Sequence, residues 1–226
     1  HTPHFIAIDK INQYWFVTTI SSGYVGRYNL DTDKFIDKIL VEDSPALMVL
    51  NKANKKLYVS RMMPMAGMMM GAVSTIVQEI DYSSPDGMIL GNEFIIGSPA
   101  PHGLGINSEG SEVYVASNTA DWLYKITTKT GEIDREIMDS SIGNAPDLIT
   151  LRLKPIQIVS VENDLLFVTC SSGEWWDFIN QEYVFIPGQV QLWNSNSMTL
   201  IDTLQFDWKA SPWHIIDAPN SKMVYV

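Results

Sequence analysis

Five short β-rich runs recur along the chain: Tyr14-Trp15-Phe16-Val17-Thr18, Leu57-Tyr58-Val59-Ser60, Val113-Tyr114-Val115-Ala116, Leu166-Phe167-Val168-Thr169 and Val224-Tyr225-Val226. Aligned on Val17, Val59, Val115, Val168 and Val226, they are spaced by 42, 56, 53 and 58 residues. A proline precedes each run. The distances from Pro3, Pro45, Pro101, Pro155 and Pro212 to those valines are 14, 14, 14, 13 and 14 residues, so the phase holds while the period wanders. Repetition of this kind marks a serial architecture in which one supersecondary unit is built again and again.

Within a unit, an apolar run is followed by a polar turn, as in Phe5-Ile6-Ala7-Ile8 before residues 9–13, or Leu104-Gly105-Ile106 before residues 107–112. That pattern predicts strand, tight turn, strand. A third strand aligns on Val25, Val77, Leu123 and Val190, with Tyr28, Ile80, Ile126 and Trp193 three residues later. A weaker fourth is expected at residues 35–41, 94–97, 133–137 and 200–206. Aromatic and β-branched residues dominate these runs and helical periodicity is nearly absent. A four-stranded antiparallel sheet repeated in series buries both faces only against its neighbours, so the expected fold is all-β, a β-propeller of four-stranded blades. The chain divides as one domain, 1–226, with blades at about 1–44, 45–99, 100–153 and 154–210 and an incomplete fifth at 211–226. Propellers usually close with more blades, so the expectation is a partial propeller whose ends are both cut. His1-Thr2-Pro3-His4 has neither an initiating Met nor a leader, and Met223-Val224-Tyr225-Val226 ends inside an apolar run.

Composition removes several classes of function. With 46% hydrophobic residues, the 226-residue chain can build a sizeable core, which excludes intrinsic disorder. Its 15 Lys and Arg against 26 Asp and Glu leave a net charge of −11, which repels phosphate backbones and argues against nucleic acid as a partner. The lone Cys170 supports neither an internal disulfide nor a thiol cluster for metal. No transmembrane segment is expected: the nearest approach, residues 62–78, lacks charge but is short and broken by Pro64, Gly67 and Gly71. No nucleophile elbow, zincin motif or phosphate-binding glycine loop occurs, and Asp86-Gly87 reads as a turn.

If strands A to D run from the centre of the ring outward, the B-to-C and D-to-A connections share one rim. The intervals from the strand-B valine to the strand-C anchor are 8, 18, 8 and 22 residues, so blades 2 and 4 carry insertions of 10 and 14 on that rim. The third blade adds a long D-to-A connection at residues 138–154, while a longer C-to-D segment at 83–91 lies on the opposite rim. Long loops on a rigid scaffold are where binding is usually built.

The insertion in blade 2 holds six of the chain's 11 methionines: Met62, Met63, Met65, Met68, Met69 and Met70. Thioether sulfur suits cuprous ion, and flexible Met equally suits a contact surface for a partner protein. In blade 4, the insertion at 173–188 carries Trp175, Trp176 and Tyr183 among acidic residues, a composition that fits a recognition hot spot, a site for sugars or cations, or a hairpin lid. His4, His102 and His214 stand where strand A begins, and the first two, each directly after a proline, are expected at the channel mouth, where they could ligate copper or another metal or hydrogen-bond rim carbonyls. His214 is one residue out of that phase. Asp121, Asp147 and Asp177 are further rim carboxylates, candidates for calcium or simply solvated turn residues.

The order proline, apolar strand, polar turn, Leu57-Tyr58-Val59-Ser60 or Val113-Tyr114-Val115-Ala116-Ser117-Asn118, and a strand ending in Glu79-Ile80-Asp81, resembles the YVTN-type β-propeller repeat. Blade 4 departs most, with Leu166-Phe167-Val168-Thr169-Cys170 in place of the family tetrapeptide and a WD-like Gln191-Leu192-Trp193-Asn194. The resemblance implies a bacterial or archaeal, often exported, propeller. The expected function is therefore a periplasmic or extracellular binding or scaffold domain that shows its elaborated rim to a protein partner or small ligand, with copper as a possible associate. The alternative is a redox or lactonase-like enzyme with a metal held by histidines at the channel mouth.

Overall fold

The computed structural model describes residues 2–62, 74–139, 153–177, 180–207, 209–218 and 223–226, with the main chain alone at Trp175 and Asp177. Among them there are no helices. The first sheet contains β1 (Pro3–Asp9), β2 (Tyr14–Thr19), β3 (Tyr24–Asn29) and β4 (Phe35–Leu40), and the second contains β5 (Pro45–Asn51), β6 (Lys56–Arg61), β7 (Ile76–Asp81) and β8 (Ile89–Ile95). The third is β9 (Pro101–Ile106), β10 (Glu112–Ser117), β11 (Trp122–Thr127) and β12 (Ile133–Ile137). In the fourth, β13 (Pro155–Val161) and β14 (Leu165–Cys170) are followed by a two-stranded hairpin, β15 (Gly173–Asp177) with β16 (Glu182–Ile186), before β17 (Gln189–Asn194) and β18 (Thr199–Gln205) complete the sheet. A last pair, β19 (Ile216–Asp217) with β20 (Val224–Tyr225), begins a further unit.

Each four-stranded sheet is a simple antiparallel meander. The first strands β1, β5, β9, β13 and β19 lie against one another in succession, while the fourth strands are exposed. The sheets are thus blades set side by side about an axis, which is a β-propeller.

The repeated Tyr-Val pair explains how both faces of a blade are buried. Side chains alternate across a strand, so neighbouring residues serve opposite faces. Leu57 and Val59 join Phe16, Val25 and Val41 in the core between the first two blades, whereas Tyr58 points the other way into the next core with Val113 and Val115. Tyr114 and Ala116 in turn enter the third core with Ile158, Leu166, Val168 and Trp193. A fully buried side chain of this size contributes about 1.5–3 kcal/mol relative to exposure. Deleting one would therefore weaken a specific seam between blades.

Two strand expectations are corrected. Strand β8 starts at Ile89 rather than at residue 94, so the connection before it is residues 82–88. A register shift between Gln78 and Ile80 lets Leu90 and Ile89 pair with Ile80 and Asp81, and Gly91 leaves the room that the Glu79 carboxylate occupies. Val17, Val59, Val115 and Val168 are all buried, but Val226 lies beyond β20 and is 57% exposed. No following blade among the described residues covers it.

Candidate functional site

The described ends of the long connections, His4, His102 and Trp213 lie on the rim from which strand A starts. Main-chain bonds knit its connections together: Met62 N–H donates to Ser44 O (2.9 Å), Asn118 N–H to Ala100 O (3.2 Å), Ser172 N–H to Leu153 O (2.8 Å) and Gly188 N–H to Ala210 O (3.2 Å). Met63, Met65, Met68, Met69, Met70 and Asp147 lie outside the described residues, as do the side chains of Trp175 and Asp177. Met62 is half-buried at the root of its loop, its Sδ 3.9 Å from Asn118 Nδ2 of the third blade. Asp121 is not a solvated turn residue. It is fully buried, and its Oδ1 accepts Leu153 N–H (3.1 Å) while its carbonyl accepts Met138 N–H (2.9 Å), so one residue holds both ends of the 138–154 connection.

At the channel mouth the blades are fastened by a recurring latch. The hydroxyl that follows the strand-B valine accepts the N–H left unpaired by a bulge at the start of strand A: Phe5 N–H on Thr18 (3.0 Å), Leu47 on Ser60 (3.1 Å) and Gln157 on Thr169 (3.1 Å). The same hydroxyl donates to the carbonyl of the residue after proline in the next unit, Thr18 to Ala46 (2.8 Å), Ser60 to His102 (3.0 Å) and Thr169 to Trp213 (3.0 Å). The third blade has Ala116 at this position and no hydroxyl to give. There, His102 Nδ1 reaches Ile156 O at 2.7 Å and replaces the missing donor. Gly103 makes room for it, because a Cβ there would stand 3.0 Å from Ile156 O and 3.1 Å from Gln157 Cα.

A carbonyl oxygen only accepts, so His102 donates from Nδ1 and leaves Nε2 as a lone pair. The residue is 3% exposed, and burial holds it below the ordinary histidine range. The bond to Ile156 O opposes that shift, and His4 and His214 add to it. His4 is exposed, with Nδ1 3.4 Å from Ala46 O, and its ring centroid is 6.0 Å from that of His102 in an edge-on arrangement. His214 Nδ1 donates to Gln157 Oε1 (2.9 Å). The three histidines are thus neighbours, yet each spends Nδ1 on an oxygen. Among the described residues no three His, Cys, Asp or Glu side chains form a group that could hold a metal ion.

Sequence reasoning missed Trp213. It follows Pro212 as His4 follows Pro3 and His102 follows Pro101, so it, not His214, holds the equivalent station. Its ring, 52% exposed, lies 6.5 Å from that of His102. The proline phase contained this signal. Large rings at His4, His102 and Trp213 alternate with Ala46 and Ile156 around the mouth.

The long insertion of blade 4 is the hairpin β15–β16. Trp176 pairs across it with Tyr183, their ring centroids 4.8 Å apart at 66°, and both rings reach solvent, Trp176 at 36% and Tyr183 at 71%. No hydrogen bond or ring contact among the described residues joins this pair to Met62 or to the histidines.

In fold, the chain is similar to a structure of Kuenenia stuttgartiensis hydrazine synthase, with a TM-score of 0.74 and 14% identity over 99% of this chain and 60% of that one. It is also similar to Saccharomyces cerevisiae Sqt1 (TM-score 0.62, 12% identity, 98% of this chain and 52% of that chain) and to the β-propeller domain of Myceliophteria thermophila Cps50 (Swd1) (0.55, 13%, 75% and 48%). The chain thus spans between about half and 60% of the structures it matches. At these identities the likeness is one of fold, the β-propeller. No protein-family model matches the sequence, and no curated protein does.

Proposed function

We propose that this chain is a binding propeller that works outside the cytoplasm and presents the rim of its B-to-C and D-to-A connections to a protein partner. One observation carries the reading: long connections gather on the rim where β15–β16 holds Trp176 and Tyr183 in solvent, while the A-to-B turns stay short. Exposed aromatics on a rigid frame suit recognition. Placement outside the cytoplasm rests on the resemblance to YVTN repeats. Among the described residues no helix is long and apolar enough to cross a membrane.

Capture from a native extract of the source organism tests this. Protein retained by the wild-type chain, and lost when residues 63–73 or 174–185 are replaced by short Gly-Ser linkers, supports the rim. Retention that survives both replacements and is lost on changing the opposite rim at Ser108 and Glu109 sinks it.

A second reading is a metal enzyme at the channel mouth, favoured by the free Nε2 of His102 beside His4. Ligating histidines commonly hand their other ring nitrogen to a carbonyl, as His102 does. Stoichiometric copper in the purified protein, lost on replacing His4 and His102 with Ala, favours it, and a metal-free protein after copper loading removes it.

A further inference from the structure

Cross-strand partners and residues two apart share one face of a hairpin. On β15–β16 this puts Glu174 and Trp176 on the same face as their partners Phe185 and Tyr183. The two outer rings meet at 66° and so form an open corner, not a stack. Glu174 is exposed, and no ion pair among the described residues engages it or Glu182. The segment from 173 to 188 contains Glu174, Asp177 and Glu182 and no Lys or Arg. Two π faces meeting at an angle beside an uncompensated carboxylate offer a cation both quadrupole attraction and charge.

We propose that the corner formed by Trp176 and Tyr183, with Glu174 on the same face, binds a lysine or arginine side chain of the partner protein. This deepens the rim reading and rests on it. Charge complementarity selects the occupant: a chain of net charge −11 whose most exposed aromatic pair among the described residues stands in an acidic hairpin attracts a basic partner and repels an acidic one. The aromatic faces then distinguish a cationic side chain seated on the hairpin from one that merely approaches the acidic surface.

The test is a titration of the 15N-labelled chain with an end-blocked Gly-Gly-Arg-Gly-Gly peptide, read at the indole N–H of Trp176. The isosteric, neutral citrulline peptide and ethylammonium are run beside it. The arginine peptide is expected to shift this resonance with an apparent affinity about fivefold above that of the citrulline peptide, as a surface cation–π contact implies. Glu174→Gln should weaken binding by about threefold, in the range of an exposed ion pair. Trp176→Ala with Tyr183→Ala, followed at the amides of residues 174 and 182, should abolish the preference, while Trp176→Phe with Tyr183→Phe, which keeps the π faces, should retain it.

Equal binding of the citrulline peptide, or a preference that survives removal of both rings, overturns the proposal and leaves the rim reading to its own capture experiment. Ethylammonium binding as tightly as the peptide overturns the assignment to a partner's side chain in favour of a small amine. Conversely, a wild-type chain that binds the arginine peptide but retains no protein in the capture experiment would remove the protein partner and keep the corner as a cation site.

Discussion

His102 donates its Nδ1 proton to the carbonyl of Ile156, 2.7 Å away across the seam between the third and fourth blades, at the station where the other seams use a threonine or serine hydroxyl. Replacing His102 with Ala should leave a buried carbonyl without a partner and cost about 1–3 kcal/mol. Adding Ala116→Ser supplies the missing hydroxyl and should recover part of the loss. Urea unfolding of the single and double variants measures both, and the same cost with and without the serine would show that the latch does not set the seam's strength.

The same histidine gives stability a pH dependence of definite sign. Burial holds its native pKa below the ordinary histidine value of about 6.5, so between the two values the unfolded chain binds a proton that the folded chain refuses. Stability contributed by neutral His102 is complete above about 6.5 and falls as pH drops toward the lowered native value. His102→Gln should flatten this part of the profile, seen as a smaller difference between unfolding midpoints at pH 8 and pH 5.

Gly103 lets the third and fourth blades approach at the latch. Gly103→Ala places a methyl 3.0 Å from Ile156 O and 3.1 Å from Gln157 Cα, against backbone that cannot swing aside. A penalty of about 1–3 kcal/mol is expected. Because the strain falls on the carbonyl that His102 uses, the costs of Gly103→Ala and His102→Ala should fail to add, which a double-mutant cycle on unfolding free energies detects.

On the other rim, Arg27 is 1% exposed and grips Asp37 through two bonds of 2.8 Å while Nη1 donates to Tyr82 O (3.1 Å) and Ser84 O (3.2 Å) of the next blade. Asp37 also accepts Met88 N–H at 2.9 Å. Arg27→Ala removes the cation from both blades at once and should cost about 1.5–3 kcal/mol, the range of charge-assisted bonds to a carboxylate that stays partly exposed. Arg27→Lys should recover only part, since an ammonium cannot make the bidentate fork. Thermal unfolding of the two variants gives the ordering.

How much was legible follows from the range of each interaction. Strands A and B could be read because their signals are local: a proline, an apolar run, a polar turn such as those at Asp9 and Asn107, and the buried Tyr-Val pair. Strand β8 is longer than the sequence suggests, because Gly87 and Gly91 look like loop residues. Its true start is set by pairing with β7 across the sheet. Asp121 was misread for the same reason. Its carboxylate is fully buried and accepts the N–H of Leu153, 32 positions away.

By itself the amino-acid order determined the blade, since period-two alternation with both faces apolar leaves a strand no stable place except between two other sheets. What the tertiary structure alone decided is which groups meet across the seams: His102 with the Ile156 carbonyl, and Trp213 with His102. The partners of His102 lie 54 and 111 positions along the chain, and hydrogen bonds and ring contacts act over a few ångströms of space. Only the closing of the blades about their axis brings such residues within reach.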